Sequence, residues 1–208
     1  MPTYWNAYWG ACVHSEVQAR STGAPAPAQP VALKVLIAGG FGVGKTTLVE
    51  TLSEIPPLYT EEELTTASVG VDDADAVPDK HTTTVAMDFG RLTVADSFIL
   101  YLFGTPGQDR FWFMWDELAL GAVGAIVLVD LRRVDDCFAA IDYFESRRLP
   151  FIVALNDFPD TPPFDDSAVR EALAVAGSCP LLHLDARVAR PSRDALITLV
   201  EHALDRAR

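Results

Sequence analysis

Residues 39–46 read Gly39-Gly40-Phe41-Gly42-Val43-Gly44-Lys45-Thr46, and they satisfy every fixed position of the pattern G-x-x-x-x-G-K-[ST]. The residue types have a chemical rationale. Glycines let the backbone close around a polyphosphate without Cβ clashes, so that several N–H groups and the positive end of a helix point at the anion. Lys45 would reach the β- and γ-phosphates of a bound nucleotide, and the hydroxyl of Thr46 would ligate Mg²⁺.

Such a loop works only between a strand and a helix. The run Val31-Ala32-Leu33-Lys34-Val35-Leu36-Ile37-Ala38 is apolar and branched enough for a buried strand, and Thr47-Leu48-Val49-Glu50-Thr51-Leu52 can continue as a helix. Two further strands are expected at 83–94 and 97–103, joined at Ala95-Asp96 as a hairpin in which Val85, Met87 and Phe89 alternate with polar or small neighbours. The second runs into Gly104-Thr105-Pro106-Gly107-Gln108, a turn at the carboxyl end of a strand, where open α/β sheets receive ligands. From there strand and helix alternate: strands at 125–130, 150–155 and 181–184, helices at 134–148, 165–176 and 192–206. That alternation predicts a mostly parallel sheet with right-handed crossovers.

Two segments stand apart. Residues 1–30 carry Tyr4, Trp5, Tyr8 and Trp9 and then a Pro/Ala run from Gly23 to Pro30, which reads as a flexible tail before a domain spanning 31–208. Residues 55–80 contain Pro56-Pro57, Glu61-Glu62-Glu63 and Asp72-Asp73; they read as a long acidic loop, either a nucleotide-sensing switch or a plain insertion. An aromatic helix is expected at 109–120, with Phe111, Met114, Trp115 and Leu118 on one buried stripe and Trp112 and Phe113 off it, available as a protein-binding surface.

Composition narrows the partners. The 208 residues carry a net charge of −13, which disfavours a nucleic-acid groove or an anionic membrane surface. Three scattered cysteines, Cys12, Cys137 and Cys179, form no disulfide framework, and Cys12 with His14 offers too few ligands for zinc. With no apolar run near the length of a membrane span and no lipidation signal, the expected compartment is the cytoplasm, any membrane recruitment being through a partner.

With these motifs on the page, the chain resembles the Ras-like small GTPases, and within them the bacterial conservon GTPases related to the polarity GTPase MglA. The likeness is carried by 39–47, by Thr82-Thr83-Thr84-Val85-Ala86-Met87-Asp88-Phe89-Gly90-Arg91, by 102–111 and by Asp185-Ala186-Arg187. It implies a three-layer α/β P-loop NTPase fold, with a mostly parallel six-stranded sheet, one antiparallel strand and helices on both faces. It also implies that GTP or GDP with Mg²⁺ is held by Gly39 to Thr47, Gly107, Asn156, Asp157, Asp160, Asp185, Ala186 and Arg187. Thr84, with Thr83 as the alternative, would sense the γ-phosphate and Mg²⁺. Gln108 would orient the attacking water, alongside Lys45 and Thr84 as catalytic groups, and Arg110 is a candidate for extra positive charge in cis. Slow GTP hydrolysis would switch the loops, with a Roadblock-type regulator and a sensor kinase as partners.

The sequence departs from that family at two points. Gly104 stands where an aspartate normally supports Mg²⁺. The base-reading N-K-x-D appears as Asn156-Asp157-Phe158-Pro159-Asp160, with the lysine lost and the carboxylate one residue late. Two rivals stand beside this reading: a scaffold that binds nucleotide without significant hydrolysis, suggested by these departures, and a P-loop ATPase or kinase with Val127-Leu128-Val129-Asp130 as its Mg²⁺-binding strand end.

Overall fold

The computed structural model describes residues 30–56, 58–64, 83–94, 97–107, 113–161 and 163–208. The aromatic tail, most of the acidic segment and the stretch holding Gln108, Arg110, Phe111 and Trp112 lie outside them. Strand β1 (Val31–Ala38) is followed by α1 (Lys45–Leu52), β2 (Leu58–Leu64), β3 (Thr83–Val94), β4 (Phe98–Gly104), α2 (Phe113–Ala119) and β5 (Ala122–Val129). A short 3₁₀ turn (Val134–Cys137) leads into α3 (Phe138–Arg147), then β6 (Phe151–Asn156), α4 (Asp166–Ala172), β7 (Leu181–Leu184) and α5 (Ala189–Arg206).

The strands form one sheet in the order β2-β3-β4-β1-β5-β6-β7. β1 runs parallel to both β4 and β5, and β6 and β7 continue in the same sense. β3 is antiparallel to β4 and to β2, so it alone runs against the rest. The expected fold class therefore stands, with a seventh strand added at the edge. That strand corrects the reading of 55–80 as loop throughout: residues 58–64 pair along β3, from Leu58 opposite Phe89 to Leu64 opposite Thr83.

Each face of the sheet is covered. Residues Leu36, Val127, Val153 and Leu155 of one face pack under Trp115 and Leu118 of α2, Ile141 and Phe144 of α3 and Val169 of α4. On the other face Val35, Ile37, Ile126 and Ile152 meet Leu48, Val49 and Leu52 of α1 and Leu196 and Leu199 of α5. Because β1 and β5 are buried on both faces, their sequences are continuous apolar runs rather than alternating ones. Of the expected stripe on α2, Trp115 and Leu118 are buried and Met114 is half-buried, while Phe111 lies outside the described residues; Trp115 is seated edge-on against Tyr143 at 5.1 Å between ring centres.

Three helix ends among the described residues differ from expectation by more than one residue, the first being α3, which begins at Phe138 after the 3₁₀ turn over Val134–Cys137. α4 stops at Ala172 because Ala174 adopts a left-handed φ of 52°, which no helix can continue. α5 begins before Pro191, which sits in its first turn, where the absent N–H costs nothing.

Candidate functional site

The strand order reverses around β1, whose neighbours β4 and β5 carry the chain to opposite sides, and the glycine-rich loop leaves its carboxyl end at that point. Gly44 caps α1 with φ 102°, and a Cβ there would lie 2.7 Å from Asn156 Nδ2, so both conformation and space demand glycine. Lys45, only 9% exposed, turns its ammonium back over the loop and donates to the carbonyls of Gly39 at 2.9 Å and Gly40 at 2.7 Å. Burial pulls this ammonium down to about 8, against the opposing field of Asp88. Gly107 closes the loop from the β4 side: a Cβ on it would sit 2.6 Å from Lys45 Nζ.

Thr46 reveals a residue that sequence reasoning missed. Its Oγ1 donates to Asp88 Oδ2 at 2.8 Å. Asp88 lies on β3, one step beyond the Phe89–Phe103 pair of the hairpin, which brings it against Gly104. A Cβ on Gly104 would be 2.7 Å from Asp88 Oδ2 and 3.0 Å from Asp88 Cβ. A carboxylate thus stands beside the Thr46 hydroxyl, supplied by the neighbouring strand while position 104 is kept clear for it. The sequence did hold a signal: an aspartate between Met87 and Phe89, inside an apolar strand, needs a partner if it is buried. Threonine hydroxyl and carboxylate are hard oxygen donors of the kind Mg²⁺ takes alongside nucleotide phosphates, so the residues present fit that ion.

Asn156 joins the two ends of the site. Its Nδ2 donates to the carbonyl of Val43 at 2.9 Å, and its Oδ1 accepts from the N–H of Ala186 at 2.9 Å. Both halves of a buried amide are therefore satisfied, and the phosphate loop is clasped to the loop after β7. In that loop Asp185 holds the guanidinium of Arg187 through two 2.8 Å bonds. Asp157, whose N–H donates to Leu184 at 2.8 Å, and Asp160 are both exposed. Pro159 stands at the position where the N-K-x-D pattern has its carboxylate. Beside it, Phe158 lies under the guanidinium of Arg132 at 4.0 Å.

Of the expected site residues, Gly39 to Thr46, Gly107, Asn156, Asp185 and Ala186 are gathered along one margin of the sheet, with Thr47 in the first turn of α1. The backbone of Thr84 lies in β3 opposite Glu63. Gln108 lies outside the described residues.

A family model described as a conserved hypothetical ATP binding protein matches residues 37–163, from the end of β1 past Asn156. An uncharacterized protein of Methanocaldococcus jannaschii is 33% identical over 126 residues, covering 60% of this chain and 69% of that protein. Among solved structures, the cytosolic domain of the T. maritima FeoB iron transporter in apo form superposes with a TM-score of 0.58 at 16% identity, over 83% of this chain and 64% of that one. Its GDP form I gives 0.59 at 18% identity, over 86% and 65%. At these identities the likeness is one of fold, and this chain spans about two thirds of the FeoB domain's length. Among the described residues no helix is long and apolar enough to cross a membrane.

Proposed function

The chain belongs to the family described as conserved hypothetical ATP binding proteins, and, with a bound nucleotide as the premise, we propose that it is a GTP-binding, slowly GTP-hydrolysing switch of the conservon type. The observation that carries this reading is the Asn156 clasp, which ties Val43 of the phosphate loop to Ala186 in the loop that would meet the base. In this reading the clasp would hold a phosphate-binding loop and a base-binding loop in one site.

In this reading the N–H groups of Gly42 to Thr47 and the Lys45 ammonium receive the β- and γ-phosphates. Thr46, beside Asp88, would hold Mg²⁺, which when bound offsets phosphate charge, and Thr84, four residues back along β3, would join it only once bound nucleotide draws the start of β3 toward the terminal phosphate. Gly107 would donate its N–H to the terminal phosphate, and Gln108 would orient the attacking water and accept no proton itself. Loss of the terminal phosphate frees the segments around Thr84 and Gln108, and the start of α2 then changes what it presents to partners. A Roadblock-type regulator and a sensor kinase are the partners proposed, in the cytoplasm, with membrane recruitment only through them. Replacing Gln108 with Leu is expected to lower single-turnover hydrolysis by roughly tenfold or more while leaving affinity unchanged; an unaltered rate removes Gln108 from the mechanism.

A second reading, ATP in place of GTP, is favoured by the family's description and by Pro159, which has neither a carboxylate nor an N–H to offer a purine edge. Titration of the protein with labelled GTP, GDP and ATP in Mg²⁺ decides between them. Preference for guanine by about tenfold or more supports Asp160 as a late base reader, and the reverse order establishes the ATP reading.

The Lys45 ammonium gives the affinity a pH signature. Its free-state value near 8 lies below the ordinary lysine value of 10.5, and a bound polyphosphate raises it again. Affinity is thus fully present below pH 8 and falls as pH rises through that value, by up to about tenfold per pH unit. Calorimetry at pH 9 in two buffers of different ionisation enthalpy should register proton uptake on binding; its absence removes Lys45 from the contact.

A further inference from the structure

Between β5 and α3 the chain makes a turn, residues 130–136, that touches the phosphate loop from outside at two points. Arg133 Nη2 donates to the carbonyl of Phe41 at 2.8 Å. One residue earlier in the loop, the side chain of Asp136 fills the space beside Gly40, where a Cβ would lie 2.5 Å from Asp136 Cβ. The turn is itself rigidly built. Asp130, 3% exposed, accepts from Arg132 Nε at 2.9 Å and Nη2 at 2.8 Å, and it also faces Arg133 Nε at 3.7 Å. Arg133 Nη1 lies 3.5 Å from Asp136 Oδ2, and the backbone N–H of Arg133 returns to the Asp130 carbonyl at 2.8 Å.

We infer that Arg133 is a positioning residue for the phosphate cradle: by holding the Phe41 carbonyl outward, it aims the N–H of Gly42 inward at the anion. The step is geometric. Phe41 O and Gly42 N–H belong to one peptide unit, and in a trans peptide they point in opposite directions; no cis bond occurs among the described residues. A glycine-rich loop has little side-chain packing to fix that plane, so an unbraced 41–42 peptide can flip and present a carbonyl to the phosphate. Arg133 suits the task because its guanidinium is always charged and is held by two carboxylates, which leaves one donor edge for Phe41. Asp130 sets the direction of Arg133 as well as that of Arg132 on Phe158, so one buried carboxylate braces both the phosphate side and the base side. The inference rests on the nucleotide reading above but not on the identity of the base.

The test uses the full chain labelled with ¹⁵N-glycine, with inorganic pyrophosphate and Mg²⁺ as the base-free probe and Arg133→Ala and Arg133→Lys as variants. Pyrophosphate should move the Gly42 amide proton downfield in the unaltered protein. Arg133→Ala should lose most of that shift and bind about tenfold more weakly, and Arg133→Lys, which keeps a donor, should recover part of both. Thermal melting of all three without ligand controls for folding. If Arg133→Ala keeps the Gly42 shift, the inference is overturned whether or not affinity falls, because the arginine then acts on the anion directly or not at all. If the unaltered protein binds neither pyrophosphate nor nucleotide, the nucleotide reading fails and takes this one with it, which separates the two failures.

Discussion

Lys45→Met should weaken nucleotide binding by roughly 10²- to 10³-fold, the loss expected when two charge-assisted hydrogen bonds disappear from a buried site. The same substitution should leave the fold without ligand as stable as before or more so. Lys45 is buried with its pKa pulled down to about 8, so folding carries the cost of desolvating the ammonium, partly offset by Asp88. Its two hydrogen bonds go to Gly39 and Gly40, carbonyls of the loop itself rather than of another element, and methionine fills the same channel without the charge. Affinity and stability therefore move in opposite directions, a pattern that a merely structural lysine would not produce. Fluorescence titration with labelled nucleotide gives the first quantity and thermal melting the second. Affinity within about threefold of the unaltered protein would mean that the polyphosphate is not held at this loop.

How much of this was legible beforehand depends on how local the determinants are. The phosphate loop is specified by adjacent residues, and its strand and helix by the apolar runs beside it, so 31–52 could be read directly. The β3–β4 hairpin was legible for the same reason. β2 was not, because Glu61-Glu62-Glu63 lacks the alternation of a half-buried strand; what makes it a strand is the free edge of β3, a tertiary template that outweighs local propensity. The same distinction separates Asn156 from Asp88. Asn156 follows the apolar run of β6, and its place at a strand end marks it. Asp88 acquires meaning only from its neighbour across the hairpin, since an aspartate in one strand and a glycine in the next look unrelated until their register brings them face to face. Gly104 thus read as a loss of Mg²⁺ support, whereas the structure sets a carboxylate beside Thr46 from the adjacent strand.

That placement can be tested by moving the carboxylate to position 104. Asp88→Asn keeps a hydrogen-bond acceptor for Thr46 but removes the charge, and it should cost about 10- to 100-fold in Mg²⁺ affinity or in hydrolysis, the usual effect of altering a group that orients a metal ligand. Gly104→Asp alone should be destabilising by about 1–3 kcal/mol, because its Cβ would lie 2.7 Å from Asp88 Oδ2 and two carboxylates would compete for one space. Joined with Asp88→Gly, the same Gly104→Asp becomes tolerable: the obstructing side chain is gone, and a carboxylate returns to the neighbourhood of Thr46 from β4. Strong non-additivity is then expected, with the double variant more stable than Gly104→Asp and closer to the unaltered protein in Mg²⁺ dependence than Asp88→Asn. Thermal melts, and nucleotide binding measured across a Mg²⁺ titration, supply both quantities. Simple addition of the single effects would show that Asp88 and Gly104 do not share a task, and Asp88 would revert to a buried acid whose only role is to hold Thr46 in place.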